Sequence, residues 1–143
     1  MAMKGTTIAD LRVLHLRQHA RADGVLTVIP DDGPEGLGIP VRRVFTVTDV
    51  PAGGRRGDHA HRYCTQVVVC LRGQVSIRID DGRDFTRVDL TSADQALSIP
   101  PGLWNQLTFA GPDTVIAVFC DQPYSEEDYM RDRSAYKAYK RGT

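Results

Sequence analysis

The stretch RRGDHAHRYCTQ (residues 55–66) sets His59 and His61 one residue apart, between an Arg/Gly turn and an apolar run. In an extended chain residues i and i+2 point to the same face, so both imidazoles address one space. Two chemistries use such a pair. Imidazole nitrogen is a ligand for first-row metals, and imidazole alone titrates close to neutral pH, which suits general acid and base work. The plainer alternative is a pair of satisfied structural histidines.

The elements that would hold this pair are strands. Apolar runs recur at 25–29, 41–47, 65–71, 74–80, 84–90, 95–100 and 114–120, separated by the turn signals PDDGPEGLG, PAGGRRG, RG, DDGR, TSAD, PPG and GPD. Short strands at this spacing argue for a sandwich or barrel and against βαβ units. Asp81-Gly82 predicts the tightest hairpin, because a two-residue turn needs positive φ. One helix is expected, over about 125–140. Ser125 with Asp128 forms a capping box, Glu126 and Glu127 favour its positive end, and Lys137, Lys140 and Arg141 favour the other. Tyr129, Tyr136 and Tyr139 would share one face of it and pack on the barrel or a second subunit, or else line a site.

Composition excludes several classes. The chain has 143 residues, with 18 basic against 18 acidic side chains, so no basic field collects nucleic acid or anionic lipid. A small molecule or protein is the better partner. No run approaches the roughly 20 apolar residues of a membrane span, and the first residues lack a secretory apolar core, so the expected location is cytoplasmic. Cys64, Cys70 and Cys120 are odd in number and have no CxxC spacing, which favours free buried thiols.

Outward from the histidines the pattern is Gly53-x5-His59-x-His61-x4-Gln66-x6-Gly73. It resembles the first signature of the cupins, small double-sheet β-barrels, with Gln66 at the usual Glu position. The second signature resembles DQALSIPPGLWNQLTF, with Pro100 and Gly102 in place, Asp94 for its first Gly and Asn105 where a third histidine is expected. Two imidazoles and two amides are a poor set for a divalent cation, so no metal is expected. The fold class is all-β: a cupin (double-stranded β-helix, jelly-roll-like barrel) with a C-terminal helix. A single domain over 1–143 is expected, its barrel at about 24–121. If the histidine face is the interior, the cavity also holds Gln66, with Trp104 near its mouth.

RGDHAHRYCTQVVVCLRGQV (56–75), DDG (80–82), PPGLW (100–104) and YSEEDYMRDRSAY (124–136) resemble, in that order, the nucleotide-sugar 3,4-ketoisomerases of the WxcM-like group (FdtA and QdtA type). The resemblance implies a homodimer that moves a keto group from C4 to C3 of a dTDP-linked 4-keto-6-deoxy sugar, with no cofactor. A base takes the C3 proton, acidified by the neighbouring carbonyl, and protonation at C4 of the enediol completes the reaction. By position His59 is the base and His61 its partner. Arg56 would hold the diphosphate through its two-pronged donor, unless it is a solvated turn residue. Gln66 and Trp104 would contact substrate. So would Thr46 and Asn105, where the chain departs from the family's tyrosine and histidine. Three alternatives stay open: an epimerase of a similar keto sugar, a non-catalytic sugar-nucleotide-binding cupin, and a metal-dependent cupin.

Overall fold

The structure, a computed structural model, describes residues 5–30, 32–33 and 36–142. Of the turn expected over 30–38, residues 31, 34 and 35 lie outside the described residues. In chain order the strands are β1 (Arg12–His15), β2 (Arg17–Arg21), β3 (Gly24–Val28), β4 (Arg43–Val47), β5 (Arg55–His61), β6 (Gln66–Arg72), β7 (Val75–Asp80), β8 (Phe85–Leu90), β9 (Gln95–Ile99), β10 (Trp104–Phe109), β11 (Val115–Cys120) and β12 (Tyr129–Met130), followed by helix α1 (Arg133–Arg141). Two five-stranded sheets form, in the orders β1-β9-β6-β11-β4 and β12-β5-β10-β7-β8, while β2 and β3 make a separate ribbon. All of the pairings are antiparallel. This is the cupin barrel.

Alternation builds its interior. Every second residue of β7 (Val75, Ile77, Ile79), β10 (Leu107, Phe109) and β11 (Ile116, Val118) joins one core cluster with Val68, Leu97 and Ile99. Each such side chain contributes about 1.5–3 kcal/mol on burial. β6 breaks the alternation, because its other face is covered too: Val67 and Val69 pack with Leu14, Leu16 and Leu37. That second cover explains its unbroken apolar run. Cys64, Cys70 and Cys120 are free and buried.

Three expectations are corrected. The barrel sheets begin at β1, upstream of residue 24, and β3 lies outside them. The hairpin at 80–85 closes through four residues, since Asp80 pairs with Phe85; the Asp81 carboxylate accepts from the Arg83 and Asp84 N–H groups and makes the turn itself. The helix starts at Arg133, capped by Asp132, whose side chain accepts from Ala135 N–H at 2.9 Å. Ser125 makes no cap bond, and residues 126–128 form a single 3-10 turn leading into β12. No helix among the described residues is long and apolar enough to cross a membrane.

Candidate functional site

Three strands deliver the site, and a bulge sets its phase. β10 pairs with β5 so that Asn105 faces His59, then Gln106 faces Gly57 and Leu107 faces Arg56. Asp58 is skipped, with φ of 63° at Asp58 and 82° at Gly57. Simple alternation from His59 would point Arg55 inward. The bulge shifts the phase by one, and Arg56 comes to line the cavity beside His59. Glycine is needed at 57, because a Cβ there would lie 2.8 Å from Asn105 Oδ1 in a backbone region that side chains disfavour. On the other edge of β5, Tyr129 of β12 stands directly opposite His61.

The two histidines sit in different surroundings. His61 is almost fully buried, and its Nδ1 lies 2.6 Å from Asp128 Oδ2. The other oxygen, Oδ1, accepts from the backbone N–H groups of Tyr63 (2.6 Å) and Cys64 (3.3 Å). Burial alone would raise the Asp128 pKa, but the bonds from His61, Tyr63 and Cys64 outweigh it and hold the carboxyl below its ordinary value. A carboxylate can only accept, so Nδ1 of His61 carries the hydrogen and Nε2 keeps a lone pair when the ring is neutral. That Nε2 is buried and has no hydrogen-bond partner, as are His59 Nδ1 and Asn105 Nδ2. The imidazoles meet edge to face, with centroids 4.9 Å apart, and the Tyr129 ring lies 4.3 Å from His61 and 5.1 Å from His59. Burial, with His61 and Arg131 adding positive charge nearby, pushes the His59 pKa down to about 4, so His59 is neutral at pH 7.

His59, Asn105 and Tyr129 line a cavity of about 200 Å³, and His61 packs against His59 without lining the cavity. Phe45, Val47, Val68, Leu107, Ile116 and Val118 give it apolar walls, and Arg56, His59, Gln66, Asn105, Tyr129 and Arg131 supply its polar groups. The Gln66 amide donates to Cys120 Sγ at 3.8 Å. Arg43 donates to the same sulfur at 3.6 Å and also interacts with the Tyr129 phenol. Arg131 is held by Glu126 (2.7 Å) and lies over the Tyr129 ring at 4.2 Å. Arg56 has no ion-pair or hydrogen-bond partner among the described residues, and its guanidinium stays available at the cavity. His61, Cys64 and Asp128 bring metal-capable donors within 4.8 Å of one another, but the His61 Nδ1 and both Asp128 oxygens are already spent on the hydrogen bonds just described.

The expected residues divide. The structure brings His59, His61, Gln66, Asn105 and Arg56 together. Thr46 is exposed, because its neighbours Phe45 and Val47 are the inward residues of β4. Trp104 is not at the cavity mouth: with Asn105 turned inward, alternation turns Trp104 outward, under α1. There it packs with Ala60, Met130 and Tyr136 and donates its indole N–H to Asp58 at 3.1 Å. Sequence reasoning took Asp128 for a helix cap, put Tyr129 on a helix face that would pack or line a site rather than on a strand, and missed Arg131 and Arg43. A usable signal existed for three of them: Asp132 is a second N-cap candidate, which frees 128–131 to read as period-2 strand with Tyr129 and Arg131 on one face.

A small cupin barrel with a carboxylate-held histidine, a second, neutral histidine and amides at the usual ligand positions is the class that the fold and site define. Residues 9–141 match the model of the family described as FdtA: WxcM-like, C-terminal. The chain belongs to that family, and is an isomerase. It is 28% identical over 128 residues to the TDP-4-oxo-6-deoxy-alpha-D-glucose-3,4-oxoisomerase of Aneurinibacillus thermoaerophilus, covering 90% of this chain and 91% of the relative. Among solved structures it is similar to a point variant of the 3,4-ketoisomerase QdtA from Thermoanaerobacterium thermosaccharolyticum in complex with TDP-4-keto-6-deoxyglucose. That match has a TM-score of 0.85 and 25% identity over 95% of this chain and 97% of the other. WlaRA, a TDP-fucose-3,4-ketoisomerase from Campylobacter jejuni, superposes with a TM-score of 0.83 and 24% identity over 92% and 96%.

Proposed function

We propose that this chain moves the keto group of a TDP-linked 4-keto-6-deoxy sugar from C4 to C3, by metal-independent proton transfer through an enediol. The observation that carries this reading is the histidine pair: His59 lines a cavity with Arg56, and His61, its Nδ1 held by Asp128, packs against it. The names of the relatives supply the substrate class.

The two histidines take the roles that position assigns. His59 lines the cavity and is neutral at pH 7, so it is the base that takes the C3 proton. His61 is its partner: Asp128 fixes its tautomer, and its ring meets that of His59 edge to face, 4.9 Å away, where it relays the proton. Arg56 takes the diphosphate, for which a guanidinium fork is suited. Gln66 and Asn105 offer amide donors to the sugar oxygens. The reading includes a homodimer. Among the described residues the β2–β3 ribbon pairs with no other strand, and it exposes Val25 and Leu26 at 60% and 63%. A single-chain mass in solution would remove this part.

The test is to incubate the protein with TDP-4-keto-6-deoxyglucose in D₂O and follow the sugar by NMR. Appearance of the 3-keto sugar is expected, and replacing His59→Asn should lower kcat by roughly 10²–10⁴-fold. An inverted carbon with the carbonyl unmoved would identify an epimerase instead. Binding with no turnover would leave only a sugar-nucleotide-binding protein.

A further inference from the structure

Moving a carbonyl between adjacent carbons transfers two kinds of proton. One leaves C3 and returns at C4; the other must be given to O4 and taken from O3. The C3 base, His59, accounts for the first kind only. Among the cavity-lining groups, the amides of Gln66 and Asn105 do not titrate, and the guanidinium groups of Arg56 and Arg131 keep their protons. His59 is rarely protonated at neutral pH. Phe45 offers no hydroxyl. The remaining cavity group with an exchangeable O–H is Tyr129.

We propose that Tyr129 is a catalytic residue, the acid and base for the sugar oxygens, delivered by β12 opposite His61. The proposal rests on the ketoisomerase reading above. Register places the phenol on the histidine face, because Tyr129 and His61 are cross-strand partners with rings 4.3 Å apart, and the His59 ring lies 5.1 Å from it in the same cavity. Two cations address it. The Arg131 guanidinium lies over the ring at 4.2 Å, and Arg43 reaches the phenol from β4, across the cavity.

The steps balance without an oxidant or reductant. His59 takes the C3 proton, the C–H pair becomes the C3–C4 double bond, and the C4 carbonyl oxygen takes the Tyr129 proton. The phenolate then removes the proton from O3, the O–H pair becomes the C3 carbonyl, and C4 recovers the proton held on His59. Phenol and imidazole end as they began.

The test is Tyr129→Phe, which keeps the ring and its packing. The expected result is a kcat at least roughly 10²-fold lower, with the affinity for TDP and the melting temperature near those of the parent protein. A kcat within about threefold of the parent would overturn the proposal while leaving the ketoisomerase reading intact, whereas an inactive parent protein overturns both. A second variant guards against a folding defect: a fluorinated tyrosine at position 129, whose phenol is more acidic, should move the alkaline limb of the kcat–pH profile to lower pH. An unmoved limb counts against the proposal.

Discussion

β5 and β10 carry two faces that differ in kind although their residues alternate along the same strands. The outer face, Ala60 and Trp104 with Met130 and Tyr136, is dry and bonded: the indole N–H reaches Asp58, and the Tyr136 hydroxyl donates to Gly102 O at 2.8 Å. The inner face holds His59, His61 and Asn105, each with a buried nitrogen that has no hydrogen-bond partner. An unmet buried donor or acceptor costs about 1–3 kcal/mol, and folded proteins rarely tolerate several together. The outer face therefore contributes stability that the inner one does not. The inner face is arranged for a ligand that completes its bonds.

This contrast breaks most plainly at Trp104. Truncation to Ala removes a large side chain from a packed cluster and should cost about 3–5 kcal/mol in urea unfolding. Affinity for TDP should stay near that of the parent protein. A parallel loss of affinity would mean that the two faces are not separable, and that the indole shapes the cavity through Asp58.

The inner face should reveal itself through pH. His59 is neutral when folded, with a pKa of about 4 against the ordinary 6.5. Between these values the unfolded chain binds a proton that the folded chain refuses. Stability is therefore full above pH 6.5, falls as the pH drops toward 4, and loses about 3 kcal/mol from this group over that window. Urea unfolding at pH 7, 5.5 and 4 should show this slope in the parent protein and a shallower one in His59→Gln. Equal slopes in the two would place the pH sensitivity in other groups.

How far the sequence foretold this site depends on the distance over which each placement is decided. The shared face of His59 and His61 is a property of two neighbouring residues, and period 2 is enough to read it. Gln66 and Asn105 were legible through spacing. Arg56 and Trp104 depend on phase: a bulge at Asp58 turns one inward, and the inward turn of Asn105 sends the other out. Nothing local marks the bulge beyond a glycine at 57. Asp128 and Tyr129 were hidden by a competing pattern, since Ser125 and Asp128 look like a helix cap. The structure spends the Asp128 carboxylate on a histidine 67 residues earlier, and that contact gains more than a cap on a short exposed turn would.

That long-range contact is also where the comparison can be sharpened. Asp128→Asn preserves shape and keeps one oxygen for the Tyr63 and Cys64 N–H groups, so the loop holding the inner face should remain in place. The amide nitrogen, however, would present hydrogens to His61 Nδ1, which must then accept, and the ring hydrogen moves to Nε2. His61 loses the lone pair with which it would relay the proton taken by His59, although no cavity side chain has changed position. kcat should fall by roughly 10²-fold, the lower end of a general-base contribution, while TDP affinity and the unfolding midpoint change little. A variant that keeps its kcat would show that Asp128 serves the loop alone. A variant that loses kcat and stability together would place the pair with the outer face, as structure.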